Sequence, residues 1–404
     1  MDLSYPPDVE EFREEVRSVL RAELGPDWRG MGSLPTAEET SDFLRRWRRT
    51  LFDHRLLGIT WPVEYGGRGL SKLHQVVLVE ELARAGVPFG KQPQDSTGLK
   101  MIGNTLLAWG TEEQKRAHLP RLLSGDERFC QGFSEPSSGS DLASVRTRAR
   151  LDGPDWVIDG QKIWTSGADE CTDIFVLART DPDAPKHRGL SLLLVPLDQP
   201  GIEVRPIRHM AGGGEFCEVF FTGARTRADE VLGPVDGGWQ VARSLLTLER
   251  GEEAATNPLL FRAEFDRLVE LARHAGKLED PVLRQRIARA YVRVEVMRHL
   301  GYRILTDVLD ERDVSAAASV SKLYWSEYHQ QLTSLALDIE GLDGLIPQGK
   351  GPSRMMRADD PGADPLSTNS WWQVFLNSRT GTIYAGTSEV QRSILAEQIL
   401  GLPR

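Results

Sequence analysis

Apolar residues recur at helical spacing from position 7 to about 125, where Val16, Leu20 and Leu24 share one face and Thr111-Glu112-Glu113-Gln114 opens a further amphipathic segment. Trp61-Pro62-Val63-Glu64-Tyr65-Gly66-Gly67 interrupts this pattern, and a proline followed by paired glycines predicts a structured loop between helices. From Cys130 to about Leu232 the spacing becomes that of strands. Ile158-Asp159-Gly160-Gln161 reads as a hairpin turn between Trp156-Val157 and Ile163-Trp164, and 174–178, 190–195, 202–207 and 218–221 read as further short strands. Long helical patterns return at Trp239, with start signals at Asp280-Pro281 and Asp313 and a polar interruption over 361–370. The pattern predicts an α+β chain, mostly α. Its expected parts are an N-terminal helical domain (1–128), a middle β-barrel-like domain (129–233) and a C-terminal four-helix bundle (234–404).

Composition narrows the function. The chain has 404 residues, 40% of them hydrophobic, enough for a core divided among several domains. A net charge of -10, with no basic run interleaved with aromatics, argues against nucleic acid. Cys130, Cys171 and Cys217 lie far apart in sequence and have no Cys-x-x-Cys or His-rich companion, so neither a disulfide framework nor a metal site is expected, and a reduced cytoplasm fits. The acidic start shows no secretory pattern, and the apolar stretch 190–197 is too short to cross a bilayer. No Gly-x-Gly-x-x-Gly follows a strand and no P-loop signature occurs, so any nucleotide cofactor must be held without a Rossmann or P-loop site.

Ser134-Glu135-Pro136-Ser137-Ser138-Gly139-Ser140-Asp141-Leu142 joins a turn-forming proline, a glycine and several hydroxyls. Gly139 permits close approach of a bound group, and the serines offer donors and acceptors that reorient to suit it, although an ordinary connecting loop has the same composition. Four more segments accompany it in order: Trp61-Pro62-x-Glu64-Tyr65-Gly66-Gly67, Gly110-Thr111-Glu112-Glu113-Gln114-Lys115, Gly160-x-Lys162-x-Trp164 and Gly386-Thr387-Ser388-Glu389. Together the five closely resemble the acyl-CoA dehydrogenase family over nearly the whole chain.

The resemblance implies a homo- or hetero-oligomer with FAD between the middle domain and the bundle, and acyl-CoA on one flavin face. By position it assigns Gln131, Phe133 and Ser134, with Gly139 nearby, to the flavin site, and places Trp164 and Ser166 over its other side. It assigns Ser140 to the pantetheine arm of CoA. Thr387 and Glu389 match the segment touching the cofactor's ribose and phosphates, Glu389 standing where glutamine is frequent. The family's Arg-x-x-Phe-Gly segment is not found after Leu271, and Glu340-Gly341-Leu342-Asp343-Gly344 matches its glycine-rich cofactor contact only in part.

The family reaction removes an α proton from the thioester and transfers a β hydride to flavin, giving a 2,3-enoyl-CoA whose electrons pass to an electron-transferring flavoprotein. It requires a carboxylate base, and donors at the thioester oxygen worth about 3 kcal/mol each. Many members carry the base in Tyr-Glu-Gly-Thr, but this chain has Tyr384-Ala385-Gly386-Thr387. Ala385 cannot take a proton, yet its backbone N–H can still donate to the thioester oxygen. The family's second base position matches Glu249 in Thr247-Leu248-Glu249-Arg250-Gly251, with Arg250 as an orienting neighbour. On composition alone Glu249-Arg250-Gly251-Glu252-Glu253 is also what a solvated helix face looks like. Two other functions fit the same fold: a non-catalytic partner subunit of a hetero-oligomeric dehydrogenase, and a flavin oxidase or monooxygenase.

Overall fold

The computed structural model describes residues 5–34, 36–90, 94–212, 214–310, 312, 314–346 and 371–403, apart from the side chains at 32, 37, 247–256 and 315. Asp313 and the segment 361–370 lie outside the described residues.

Helices α1 (Pro7–Leu24), α2 (Ala37–Asp53), α3 (Lys72–Arg84), α4 (Asn104–Trp109) and α5 (Glu112–Ser124) build the first layer, with a π-helical segment, Ser96–Gly103, running into α4. Val16 and Leu20 are buried on one face of α1, as the spacing predicts. Thr111 and Gln114 form a reciprocal capping box at the start of α5, satisfying two backbone donors that the first turn would otherwise orphan. The loop at 61–67 is locked onto this start and onto that of α4: Tyr65 Oη donates to Glu112 Oε2 at 2.7 Å, and the buried indole of Trp61 donates to Asn104 Oδ1 at 3.1 Å. A Cβ at Gly67 would lie 2.1 Å from the Trp61 carbonyl oxygen, so only glycine fits there.

The middle of the chain forms one mixed eight-stranded sheet: β1 (Phe129–Gly132), β2 (Arg148–Asp152), β3 (Asp155–Ser166), β4 (Asp173–Arg179), β5 (Leu190–Pro196), β6 (Ile202–Ile207), β7 (Phe216–Arg227) and β8 (Val231–Leu232). Its order is β6-β7-β3-β2-β4-β5-β8, with β1 parallel to β4. Both faces are covered. Phe175, Leu177, Leu192 and Leu194 join the core of the N-terminal helices, while Ile174, Val176, Leu193 and Val195 point the other way into a second core.

The expected hairpin at Ile158-Asp159-Gly160-Gln161 is corrected here. β3 runs unbroken through these residues, and the turn lies earlier, between Asp152 and Asp155. Gly160 serves close packing instead: a Cβ there would come within 2.7 Å of the Thr147 Cα. Pairing along most of β7 outweighs the local turn tendency of Asp-Gly.

The last part holds α6 (Gly238–His274), α7 (Pro281–Leu309), α8 (Ser315–Glu340), α9 (Trp371–Ser378) and α10 (Ser388–Ile394). Asp280 caps α7, accepting from the N–H groups of Val282 and Leu283. Helix α6 belongs to two cores. Val241, Ala242 and Leu245 pack with the N-terminal helices and sheet, whereas Phe261, Phe265 and Leu268 pack in the bundle with α7 and α8.

Candidate functional site

β1 delivers the chain to Phe133 and Ser134, after which Glu135 and Ser138 exchange two backbone hydrogen bonds of 3.0 Å and throw Pro136 and Ser137 out as an exposed turn. The Phe133 ring is buried edge-on against Phe175 at 5.7 Å. Beneath the turn lies an ion pair that the motif alone does not reveal. Lys162, 0% exposed, donates to Glu135 Oε1 at 2.8 Å, Leu177 O at 2.7 Å and Phe133 O at 3.1 Å, using all three ammonium protons. Glu135 also accepts from the N–H groups of Arg146 (2.7 Å) and Thr147 (2.8 Å). Burial pushes the Glu135 pKa up, but the Lys162 charge and these donors outweigh it and hold the carboxyl below its ordinary range. Burial pulls the Lys162 ammonium down to about 8, and the Glu135 charge and hydrogen bond oppose that shift.

The Ser134 carbonyl accepts from Ile163 N–H at 2.9 Å, tying this turn to β3 immediately before Trp164. β3 bulges against β7 between Lys162 and Thr165, and Trp164 sits there at φ 62°. A bulky residue in the left-handed region costs about 1–3 kcal/mol and persists where the surroundings enforce it, commonly at a binding site. The indole is 56% exposed, with one edge on Phe216 at 6.0 Å. Ser166 ends the strand opposite Phe216 and is half-buried. Gln131 and Ser134 are also half-buried, whereas Gly139 and Ser140 are exposed; a Cβ at Gly139 would meet no atom of the described residues within 4 Å apart from its chain neighbours.

A second cluster forms in the bundle. After α9 the chain turns at Tyr384-Ala385-Gly386, with Ala385 at φ 51° and Gly386 at φ 84°. Two buried side chains hold this turn. Gln391 Nε2 donates to Ala385 O at 3.0 Å, and Lys322 Nζ donates to Gly386 O at 2.6 Å. The Ala385 N–H makes no hydrogen bond among the described residues. Thr387 caps α10 by accepting from Val390 N–H at 3.1 Å, so its hydroxyl has a structural duty already. Ser388 Oγ and Gln391 Oε1 are buried without a hydrogen-bond partner among the described residues. Glu389 is exposed, 3.6 Å from Arg392.

Glu249 and Arg250 lie in α6 on the stretch between its two cores, one turn beyond Leu245, and their side chains are outside the described residues. Helix α6 as a whole neighbours β5, α3, α4 and the π-helical segment. At the end of α8, where the glycine-rich segment begins, burial and the nearby Asp343 charge push the Glu340 carboxyl up to about 7, against the pull of Arg267. Leu342 and Leu345 beside it are exposed. Sequence reasoning missed the anchoring duties of Lys162, Lys322 and Gln391. A lysine within a strand, followed directly by Ile163 and Trp164, was the available signal for the first; the other two gave none.

Three family profiles match the chain in succession: the acyl-CoA dehydrogenase N-terminal domain over residues 6–126, the middle domain over 130–224 and the C-terminal domain over 236–400. Acyl-CoA dehydrogenase IpdE1 of Mycobacterium tuberculosis is 42% identical over 401 residues, 98% of each chain. Among solved structures, the Tcur3481-Tcur3483 steroid ACAD is 35% identical with a TM-score of 0.81, each chain covered fully. The ChsE4-ChsE5 complex from Mycobacterium tuberculosis is 30% identical, also with a TM-score of 0.81 and full coverage of both chains.

Proposed function

The chain belongs to the acyl-CoA dehydrogenase family of FAD-dependent oxidoreductases acting on CH–CH bonds, and from that membership we propose a bulky, ring-bearing acyl-CoA thioester as its substrate and Glu249 as its base. The residues fit the cofactor at its ring end. Trp164 is held out at a left-handed φ beside a turn fixed by Glu135 and Lys162. At the segment given to the ribose and phosphates, two buried oxygens, on Ser388 and Gln391, have no partner among the described residues. Gln131, Phe133, Ser134, Gly139, Trp164 and Ser166 would hold the flavin ring, with Thr387 and Glu389 near its ribose and phosphates. Bound FAD supplies the two-electron acceptor for the β hydride.

This chain's residues do the rest. Glu249 removes the α proton, and Arg250 orients the active-site backbone and substrate without taking part in proton transfer. The Ala385 N–H, which makes no hydrogen bond among the described residues, donates to the thioester oxygen as negative charge develops there. Ser140 binds the pantetheine arm. The observation that carries this reading is the Tyr384–Gly386 turn, whose donor persists where the carboxylate is absent. Steroid-type acyl groups are favoured because a structural relative over the full chain is a steroid ACAD. An electron-transferring flavoprotein is the expected acceptor. Anaerobic mixing with straight, branched and steroid-type acyl-CoAs, followed by flavin absorbance, tests the substrate: the steroid type should bleach fastest, and faster bleaching by a straight chain would refute it.

A hetero-oligomer is the assembly we favour. The carboxylates of Glu340 and Asp343 suit a flavin diphosphate poorly, and exposed Leu342 and Leu345 flank them, so an unlike subunit would complete the adenine end of the site. Native mass spectrometry with and without a coexpressed partner decides this. Full flavin occupancy of the chain alone would refute it.

A further inference from the structure

The exposed face of β2 carries a basic strip with no role in the chemistry above. Ala149 is buried, so the period-two alternation of the strand turns Arg148 and Arg150 to solvent, and Arg146, just ahead of the strand beyond buried Thr147, is exposed as well. None of the three has an ion-pair partner among the described residues, although other exposed arginines of this sheet do: Arg205 pairs with Glu203, Arg225 with Asp152 and Arg227 with Asp229. The neighbouring loop between β4 and β5 adds exposed Arg188, which likewise makes no side-chain bond among the described residues.

This strip is continuous with the 134–142 turn. Glu135 binds the backbone N–H of Arg146 directly. Lys186 of the β4–β5 loop reaches both carboxylate oxygens of Asp141 at 3.0 Å, next to Ser140. Arg179, register partner of Arg148, donates to the carbonyls of Ala143, Lys186 and Arg188 and so binds the loop to the turn. Of the carboxylates nearby, Asp141 is paired with Lys186; Asp159, the register partner of Arg148 on β3, accepts from Gly223 N–H, and Asp181 accepts from Asp183 N–H. On a chain of net charge -10, the result is a local run of unpaired guanidinium groups leading away from Ser140.

We propose that Arg146, Arg148 and Arg188 bind the phosphorylated nucleotide end of the CoA thioester, its 3′-phosphate and diphosphate. The assignment rests on the acyl-CoA reading above. Guanidinium groups match phosphate oxygens in paired geometry, and such charge-assisted contacts are stronger than neutral ones. They act on binding and lie outside the chemical step.

The test uses the flavin-loaded enzyme, with its partner where one is needed, and compares one acyl group carried on CoA and on pantetheine. In the Arg146→Gln/Arg148→Gln double variant, and separately in Arg188→Gln, the ratio of KM for acyl-pantetheine to KM for acyl-CoA should fall about tenfold at low ionic strength. Inhibition by adenosine 3′,5′-bisphosphate should weaken in parallel, and added salt should erode the wild-type preference. Surface substitutions of this kind move stability by about 0.5 kcal/mol or less, which a melting curve verifies. An unchanged KM ratio in both variants overturns the proposal. Equal binding of pyrophosphate and the bisphosphate, with no change in the ratio, makes the strip a free-anion site and also overturns it. If neither thioester bleaches the flavin, the acyl-CoA reading fails by itself; calorimetry with the bisphosphate then judges the strip, binding that the variants lose supporting it and no binding overturning it.

Discussion

Replacing Lys162 with methionine isolates the element that fixes the 134–142 turn. Methionine keeps much of the side-chain volume but strips Glu135 of its counter-charge and leaves the carbonyls of Phe133 and Leu177 without that donor, all in a place where Lys162 is 0% exposed. Removing one partner of a buried ion pair costs about 3–5 kcal/mol, because the surviving charge has no water to replace it. Arg146 and Thr147 still donate to Glu135, which puts the expected loss at the lower end, about 3 kcal/mol. Equilibrium urea denaturation followed by tryptophan fluorescence measures it, since Trp156 and Trp164 lie on the same strand as Lys162. Glu135→Gln combined with Lys162→Met removes both charges and should recover about 1 kcal/mol or more relative to Lys162→Met alone. A loss under about 1 kcal/mol in the single variant, or a double variant no more stable than the single, would refute the reasoning.

Three further outcomes follow from the geometry. His118 joins α5 to the sheet between Glu127 (3.0 Å) and Glu230 (3.2 Å); burial opposes its charge, but the two carboxylates prevail and raise it to about 9 from 6.5, worth about 3 kcal/mol. That stabilisation is complete below about pH 6.5 and lost as pH rises through about 9, so His118→Gln should flatten the decline in urea stability across this window, and an unchanged slope would count against it. Lys322→Met removes a charged donor worth about 1.5–3 kcal/mol from Gly386 O and should slow anaerobic flavin reduction about tenfold or more at equal FAD content; an unaltered rate would mean the turn does not depend on it. Ala385→Gly keeps both the N–H and the positive φ and should retain activity, whereas Ala385→Pro removes the donor and should cost about a hundredfold in kcat; equal rates in the two would exclude the backbone donor.

Much of the architecture was legible because the relevant signals are local. The capping box at Thr111 and Gln114, the cap at Asp280 and the one-face spacing of Val16 and Leu20 all depend on residues three or four apart. Strands β4, β5 and β6 were visible as short apolar runs between turn residues. Asp159-Gly160 misled because its meaning is set by a distant partner: the glycine makes room for Thr147, and the strand continues because β7 pairs alongside it. The site divides in the same way. Segment order identified the turn at 134–142 and the substitution at Ala385, but the left-handed φ of Trp164 and Ala385 and the burial of Lys162 arise only once the strands and helices meet. The cysteines show the same limit, since Cys130, Cys171 and Cys217 share one core cluster despite their separation in sequence.

Anaerobic stopped-flow mixing of the flavin-loaded Glu249→Gln enzyme with its best acyl-CoA tests the account most directly. Loss of the base should leave FAD bound and its absorbance spectrum intact while slowing substrate-driven bleaching by about a hundredfold to ten-thousandfold. Bleaching within about twofold of the wild-type rate would show that another group takes the α proton, and would contradict the assignment of Glu249.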